Sequence, residues 1–167
     1  MKTISTLKKL INFYFYFLVF GFIAIPIAAI IHFNNDTFTS IFFFKDYDLS
    51  NSHRGVILTI ILIGELIYYQ FIKVVYLLKN SLNDLSDGHY FSDLIVHNFK
   101  KIGRLSIIWG VVFSVYEFLS RFLIVHEMRL VINNTLLISI ITGLFFMFLS
   151  EAFAKANLAK QENDLTI

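Results

Sequence analysis

Four long apolar runs dominate the chain, at residues 10–31, 56–78, 105–125 and 135–153. Each approaches the roughly 20 apolar residues that carry an α-helix across a hydrocarbon core about 30 Å thick. A helix on the surface of a water-soluble domain keeps a polar face, and these runs mostly lack one. The pattern predicts an all-α, polytopic membrane protein: one domain over residues 1–167, built as a bundle of four transmembrane helices with the lipid bilayer as its solvent. The connections are too short for a separate soluble domain.

Polar and breaker residues between the runs refine the elements. Pro26, the only proline, removes a backbone donor late in the first span and predicts a kink or an end there. Beyond the second span, Leu77, Leu78, Leu82 and Leu85 keep helical spacing, so that helix is expected to outrun the bilayer. Gly88 reads as its stop, because glycine takes a left-handed conformation freely. Ser92 is the expected N-cap of the next helix, whose first turns are amphipathic through Phe91, Ile95 and Phe99. A short turn over 126–134 makes spans three and four an antiparallel hairpin. The longer connection over 32–53 carries Asn34, Asn35, Asp36, Asp46 and Asp48. Its apolar patch Ile41-Phe42-Phe43-Phe44 is expected to lie back on the membrane interface.

The basic residues sort by side. Lys2, Lys8, Lys9, Lys73, Lys79, Lys100, Lys101, Arg104, Lys155 and Lys160 flank one side; Lys45, Arg54, Arg121 and Arg129 flank the other. This ten-to-four bias places both termini and the middle connection in the cytoplasm by the positive-inside rule. The lysines ahead of the first apolar run resemble a signal peptide. That run exceeds the usual hydrophobic region of about 7–15 residues, so an uncleaved first span is expected.

Composition agrees with a membrane protein: 57% of residues are hydrophobic and the mean hydropathy is +0.70. The net charge of +2, spread along the chain, gives no footprint for direct nucleic-acid binding. With no cysteine, disulfides, thiolate metal sites and cysteine nucleophiles are excluded. The five histidines lie in loops or at span ends with no metal-ligand spacing, so no cofactor is expected. Phosphate-binding, nucleophile-elbow and dinucleotide-binding motifs are all missing, and the chain reads as a non-enzyme.

Charges at membrane depth are costly and mark candidate sites. Glu65 lies near the middle of span two. Glu117 and Arg121 stand four residues apart on one face of span three, the spacing of a helical ion pair. Because spans two and three are antiparallel, the three are expected to form one cluster. Such a cluster would fix helix register, line a proton or ion path, or build a polar pocket. Gly21, Gly64, Gly110 and Gly143 allow close helix approach. No Gly-x-x-x-Gly pair occurs, so no oligomeric state is implied.

Two further segments carry a resemblance. One is Leu82-Asn83-Asp84-Leu85-Ser86-Asp87-Gly88-His89-Tyr90-Phe91-Ser92, followed by Lys101-Ile102-Gly103-Arg104. The other runs from Ser150-Glu151-Ala152-Phe153 to Gln161-Glu162-Asn163-Asp164-Leu165-Thr166-Ile167. With four spans in a chain of this length, they resemble the bacterial membrane family called domain of unknown function 2975, which includes YoaS-type proteins. Gly88, Phe91, Ile102, Gly103, Glu162, Asp164, Leu165, Thr166 and Ile167 match its pattern. The resemblance implies a multi-pass protein of the bacterial plasma membrane. It also implies a genetic setting beside a small helix-turn-helix regulator of the Cro/C1 type.

The expected function is therefore modulation or tethering of such a regulator at the cytoplasmic face. Gly88, Phe91 and the acidic-apolar tail Glu162, Asp164, Leu165, Thr166 and Ile167 would be the contact surface. The alternatives are a small transport or channel component using Glu65, Glu117 and Arg121, or a structural assembly subunit.

Overall fold

The structure, a computed structural model, describes residues 2–32, 54–90, 92–125 and 134–165. Phe91, Thr166 and Ile167 lie outside the described residues, as do the connections 33–53 and 126–133. The described residues form four long helices: α1 (Lys2–His32), α2 (Arg54–Ser86), α3 (Asp93–Val125) and α4 (Asn134–Leu165). Each contains a stretch long and apolar enough to cross a membrane, which makes the chain a multi-pass membrane protein by length and composition.

The helices have 31 to 33 residues, or about 46–50 Å at 1.5 Å per residue. They outrun a hydrocarbon core of about 30 Å. Most of the excess lies at one end, where α1 and α3 begin and α2 and α4 finish; we call it the terminal end. Pro26 does not stop α1, which continues to His32.

Among the described residues, substantial contacts join only helices adjacent in the chain: α1 with α2, α2 with α3, and α3 with α4. The bundle is therefore a row. Leu18 of α1 packs on Ile72 and Val75 of α2, with Phe15, Phe22 and Tyr68 around them. Toward the opposite end, Ala29, Ile57, Ile60 and Ile124 form a second core. A third core occupies the terminal end. There Ile95, Phe99 and Ile102 of α3 are inserted between Val74, Leu77, Leu78 and Leu85 of α2 and Phe146, Leu149 and Phe153 of α4. Ile95 and Ile102 are completely buried, as the amphipathic spacing of this segment predicts.

Each joint uses a small residue. The Tyr68 hydroxyl donates to the Leu18 carbonyl at 3.1 Å, and its oxygen rests where a Cβ on Gly21 would come within 2.9 Å. Tyr116 repeats the device one helix along: it donates to the Ile60 carbonyl at 3.2 Å and covers Gly64. Between α3 and α4 the backbones themselves meet. A Cβ on Gly103 would stand 2.5 Å from the Gly143 carbonyl oxygen, and one on Gly110 would stand 2.5 Å from Ser139 Cβ. Ser106 and Gly110 on α3, with Ser139 and Gly143 on α4, form small-x-x-x-small pairs of the kind that bring membrane helices together. Ser139 is buried but returns its hydrogen bond to Thr135 of its own helix at 2.7 Å, so its hydroxyl is satisfied.

These contacts also set the depth of α4. With Ser139 against Gly110 and Gly143 against Gly103, Asn134 begins α4 little more than one turn beyond the level of Gly110. Helix α3 continues for about four turns beyond Gly110 and overhangs that start. The apolar run of α4 is consequently displaced toward the terminal end relative to that of α3.

Candidate functional site

At the terminal end, α2 closes with a Schellman motif. Gly88 has φ +89°. Its N–H donates to the Leu85 carbonyl at 3.3 Å, and the N–H of His89 donates to the Asp84 carbonyl at 3.0 Å. Ser92 then caps α3, its Oγ accepting the N–H of Ile95 at 3.3 Å, as expected from its place ahead of the amphipathic segment. The same hydroxyl donates to Asp84 Oδ2, while His89 Nδ1 lies 3.6 Å from Asp84 Oδ1. Asp84 therefore ties the end of one helix to the start of the next.

Helices α1 and α4 are attached to this turn. Lys8 Nζ approaches Asp87 Oδ1 at 3.9 Å, and Lys79 lies 4.6 Å above the Phe15 ring and 4.7 Å above that of Tyr16. On α4, Ser150 donates to the Val96 carbonyl at 2.7 Å, and Asn157 Nδ2 donates to Asp93 Oδ1 at 2.8 Å. Beyond that link, Lys160 joins Gly88, His89, Tyr90 and Ser92 in lining an open cleft of about 220 Å³.

Helix α4 runs on to Leu165, roughly 12 Å past Asn157 at 1.5 Å per residue. Glu162 is exposed there, and Asp164 and Leu165 belong to the same final turns. Gly88 and the beginning of the tail are thus brought to one face. Leu94 (49%) and Leu158 (60%) are also exposed on it, so the surface mixes acidic, amide and apolar groups. Among the described residues no trio of His, Asp or Glu is placed to hold a metal.

The intramembrane charges are divided. Arg121 donates to Glu117 Oε1 at 3.0 Å, the pair expected from their spacing. Both sit on the part of α3 that overhangs the start of α4. Glu65 occupies another side of α2, in the helical row of Ile61, Tyr68 and Ile72; these pack in the cores shared with α1. Its Oε2 is buried with no hydrogen-bond partner, and no ion pair joins it to Arg121 among the described residues.

Asp84, Asp93 and Asn157 were not among the residues singled out by sequence. Asp93 has a visible signal, an acid in the first turn of a capped helix. Nothing local marks Asn157 as its partner.

A family model described as "Protein of unknown function (DUF2975)" matches residues 6–167. No curated protein and no solved structure matches the chain.

Proposed function

We propose that this chain, which belongs to the DUF2975 family, is a non-enzymatic membrane protein that holds or modulates a small helix-turn-helix transcription regulator. Its place is the bacterial inner membrane, with both termini and the terminal end in the cytoplasm. The observation that carries this reading is the tail. Helix α4 projects past the Gly88 turn with Glu162 exposed, while its root is fastened by Asn157 to Asp93. A fastened base with an acidic-apolar helical extension suits a basic DNA-binding partner. The regulator itself comes from the genetic setting that the family resemblance implies.

The transport alternative has less support. It needs intramembrane charges along a common path, whereas Glu65 stands apart from the Arg121–Glu117 pair.

The test is a membrane pull-down of the neighbouring regulator with intact chain and with chain lacking residues 162–167, alongside a reporter for the regulator's promoter. The truncated chain should insert normally, release the partner and change reporter output. Equal retention and an unchanged reporter would remove the tail from the mechanism. Reporter fusions after Ile167 and within residues 34–48 should show opposite sidedness. A C-terminus outside the cytoplasm would end the proposal.

A further inference from the structure

Helix α3 carries a second surface that the tethering reading does not use. Lys100, Lys101 and Arg104 are all exposed on the side of α3 turned away from its buried Ile95, Phe99 and Ile102. Their spacing places them within one another's reach on that side. Two other cations at this end have partners: Lys8 meets Asp87, and Lys79 lies over two rings. Lys100, Lys101 and Arg104 have no ion pair, hydrogen bond or ring contact among the described residues. No acid occurs on α3 between Asp93 and Glu117, and Asp93 is engaged by Asn157. Glu151, on α4 near the level of Val96, makes no ion pair with them.

Below the three cations the same side of α3 becomes apolar. Ile108, Val111, Val115 and Leu119 are 47–53% exposed there. Exposed Phe145 and Phe148 of α4 lie near the level of the cations, by the Gly103–Gly143 contact. A cluster of uncompensated cations above a lipid-facing apolar stripe, with aromatic side chains at the same level, has the chemistry of an anionic phospholipid site.

We propose that Lys100, Lys101 and Arg104 bind the phosphodiester headgroup of an anionic phospholipid whose acyl chains lie along Ile108, Val111 and Val115. The arginine presents a planar fork to the phosphate oxygens, and the lysines add mobile charge. The lipid neutralises a cluster with which no carboxylate pairs among the described residues. It anchors α3 at the depth where its amphipathic start meets its membrane span.

Trp109, the only tryptophan, lies just over one turn from Arg104 and provides the probe. Full-length protein is reconstituted in phosphatidylcholine vesicles containing brominated phosphatidylglycerol, or brominated phosphatidylcholine for comparison, and quenching of Trp109 fluorescence is measured. Each cation near an anionic surface is worth about a fivefold change in affinity. Sharing of one headgroup and screening leave an expected preference for phosphatidylglycerol of roughly five- to tenfold.

The triple variant K100Q/K101Q/R104Q should quench alike with both lipids. K100R/K101R/R104K, which keeps the charge, should retain most of the preference and separates charge loss from misfolding. K73Q/K155Q should behave like the parent. No preference in the parent, or a preference that survives the triple glutamine variant, overturns the proposal. So does a triple variant that keeps its lipid preference but loses the regulator, since the cations would then serve the protein partner. Release of the regulator by tail truncation is a separate readout, so the two proposals fail independently.

Discussion

The hydroxyl of Tyr116 lies in the space that a side chain on Gly64 would fill: a Cβ there would be 2.9 Å from the oxygen, but 3.4 Å from the ring carbon that bears it. The two residues are therefore coupled. Gly64→Ala should destabilise the α2–α3 joint, and Tyr116→Phe should lose the hydrogen bond to Ile60, worth about 0.6 kcal/mol and at most about 1.7 kcal/mol in a membrane protein. In the double variant the clash is relieved, so its cost should fall below the sum of the two. Thermal unfolding in mild detergent gives the cycle, and strict additivity would show that the contact does not constrain the helices.

Gly103→Ala should be the costlier glycine change. Its Cβ would meet the Gly143 carbonyl and Met147 Cγ, both at 2.5 Å, and the backbone cannot rotate away. Overpacking of this kind typically costs about 1–3 kcal/mol. Gly55→Ala, with nothing within 4 Å of the added methyl, should be neutral or slightly stabilising. Melting temperatures of the two variants in one detergent should separate them clearly.

The turn between α2 and α3 should be sensitive at both ends. Gly88→Ala forces a Cβ onto a residue at φ +89°, a conformation that costs an L-residue about 1–2 kcal/mol. Gly88→Asn should cost less. Ser92→Ala removes the cap of α3, about 1 kcal/mol, and deprives Asp84 of a donor. Faster hydrogen exchange at Ile95 and Val96 in Ser92→Ala, with the centre of α3 unchanged, is the expected signature.

Arg121→Leu should leave Glu117 without the guanidinium now 3.0 Å away. Breaking a fully buried pair costs roughly 3–5 kcal/mol. Here the side chains are 39% and 26% exposed, so a smaller loss is expected. Adding Glu117→Gln should recover part of it, and Glu65→Gln should not. A normal detergent melt for Arg121→Leu would show that the pair carries no stability.

Much of the helix layout is legible in the sequence. The apolar runs mark all four helices, the leucines after residue 76 extend α2, and Gly88 and Ser92 stop one helix and start the next. These signals are local: they depend on backbone conformation or on spacing along one helix, as does the Glu117–Arg121 pair. What was not legible is which way each helix faces. On helices apolar all round, periodicity cannot tell a lipid-facing row from a buried one. The side occupied by Glu65 follows from the packing of Tyr68 and Ile72 on α1. The level of α4 follows from Gly103 and Gly143. The Asn157–Asp93 link joins residues far apart in the chain, with no pattern to announce it.

The row-like order of the helices has a consequence for biosynthesis. Each helix finds its principal partner in the helix made just before it: α2 docks on α1, α3 on α2, and α4 on α3. Among the described helices, none has its principal partner further along the chain than its neighbour. Contacts so local along the chain favour rapid assembly. The protein can lock stepwise as it leaves the insertion machinery, with the glycine joint between α3 and α4 closing last.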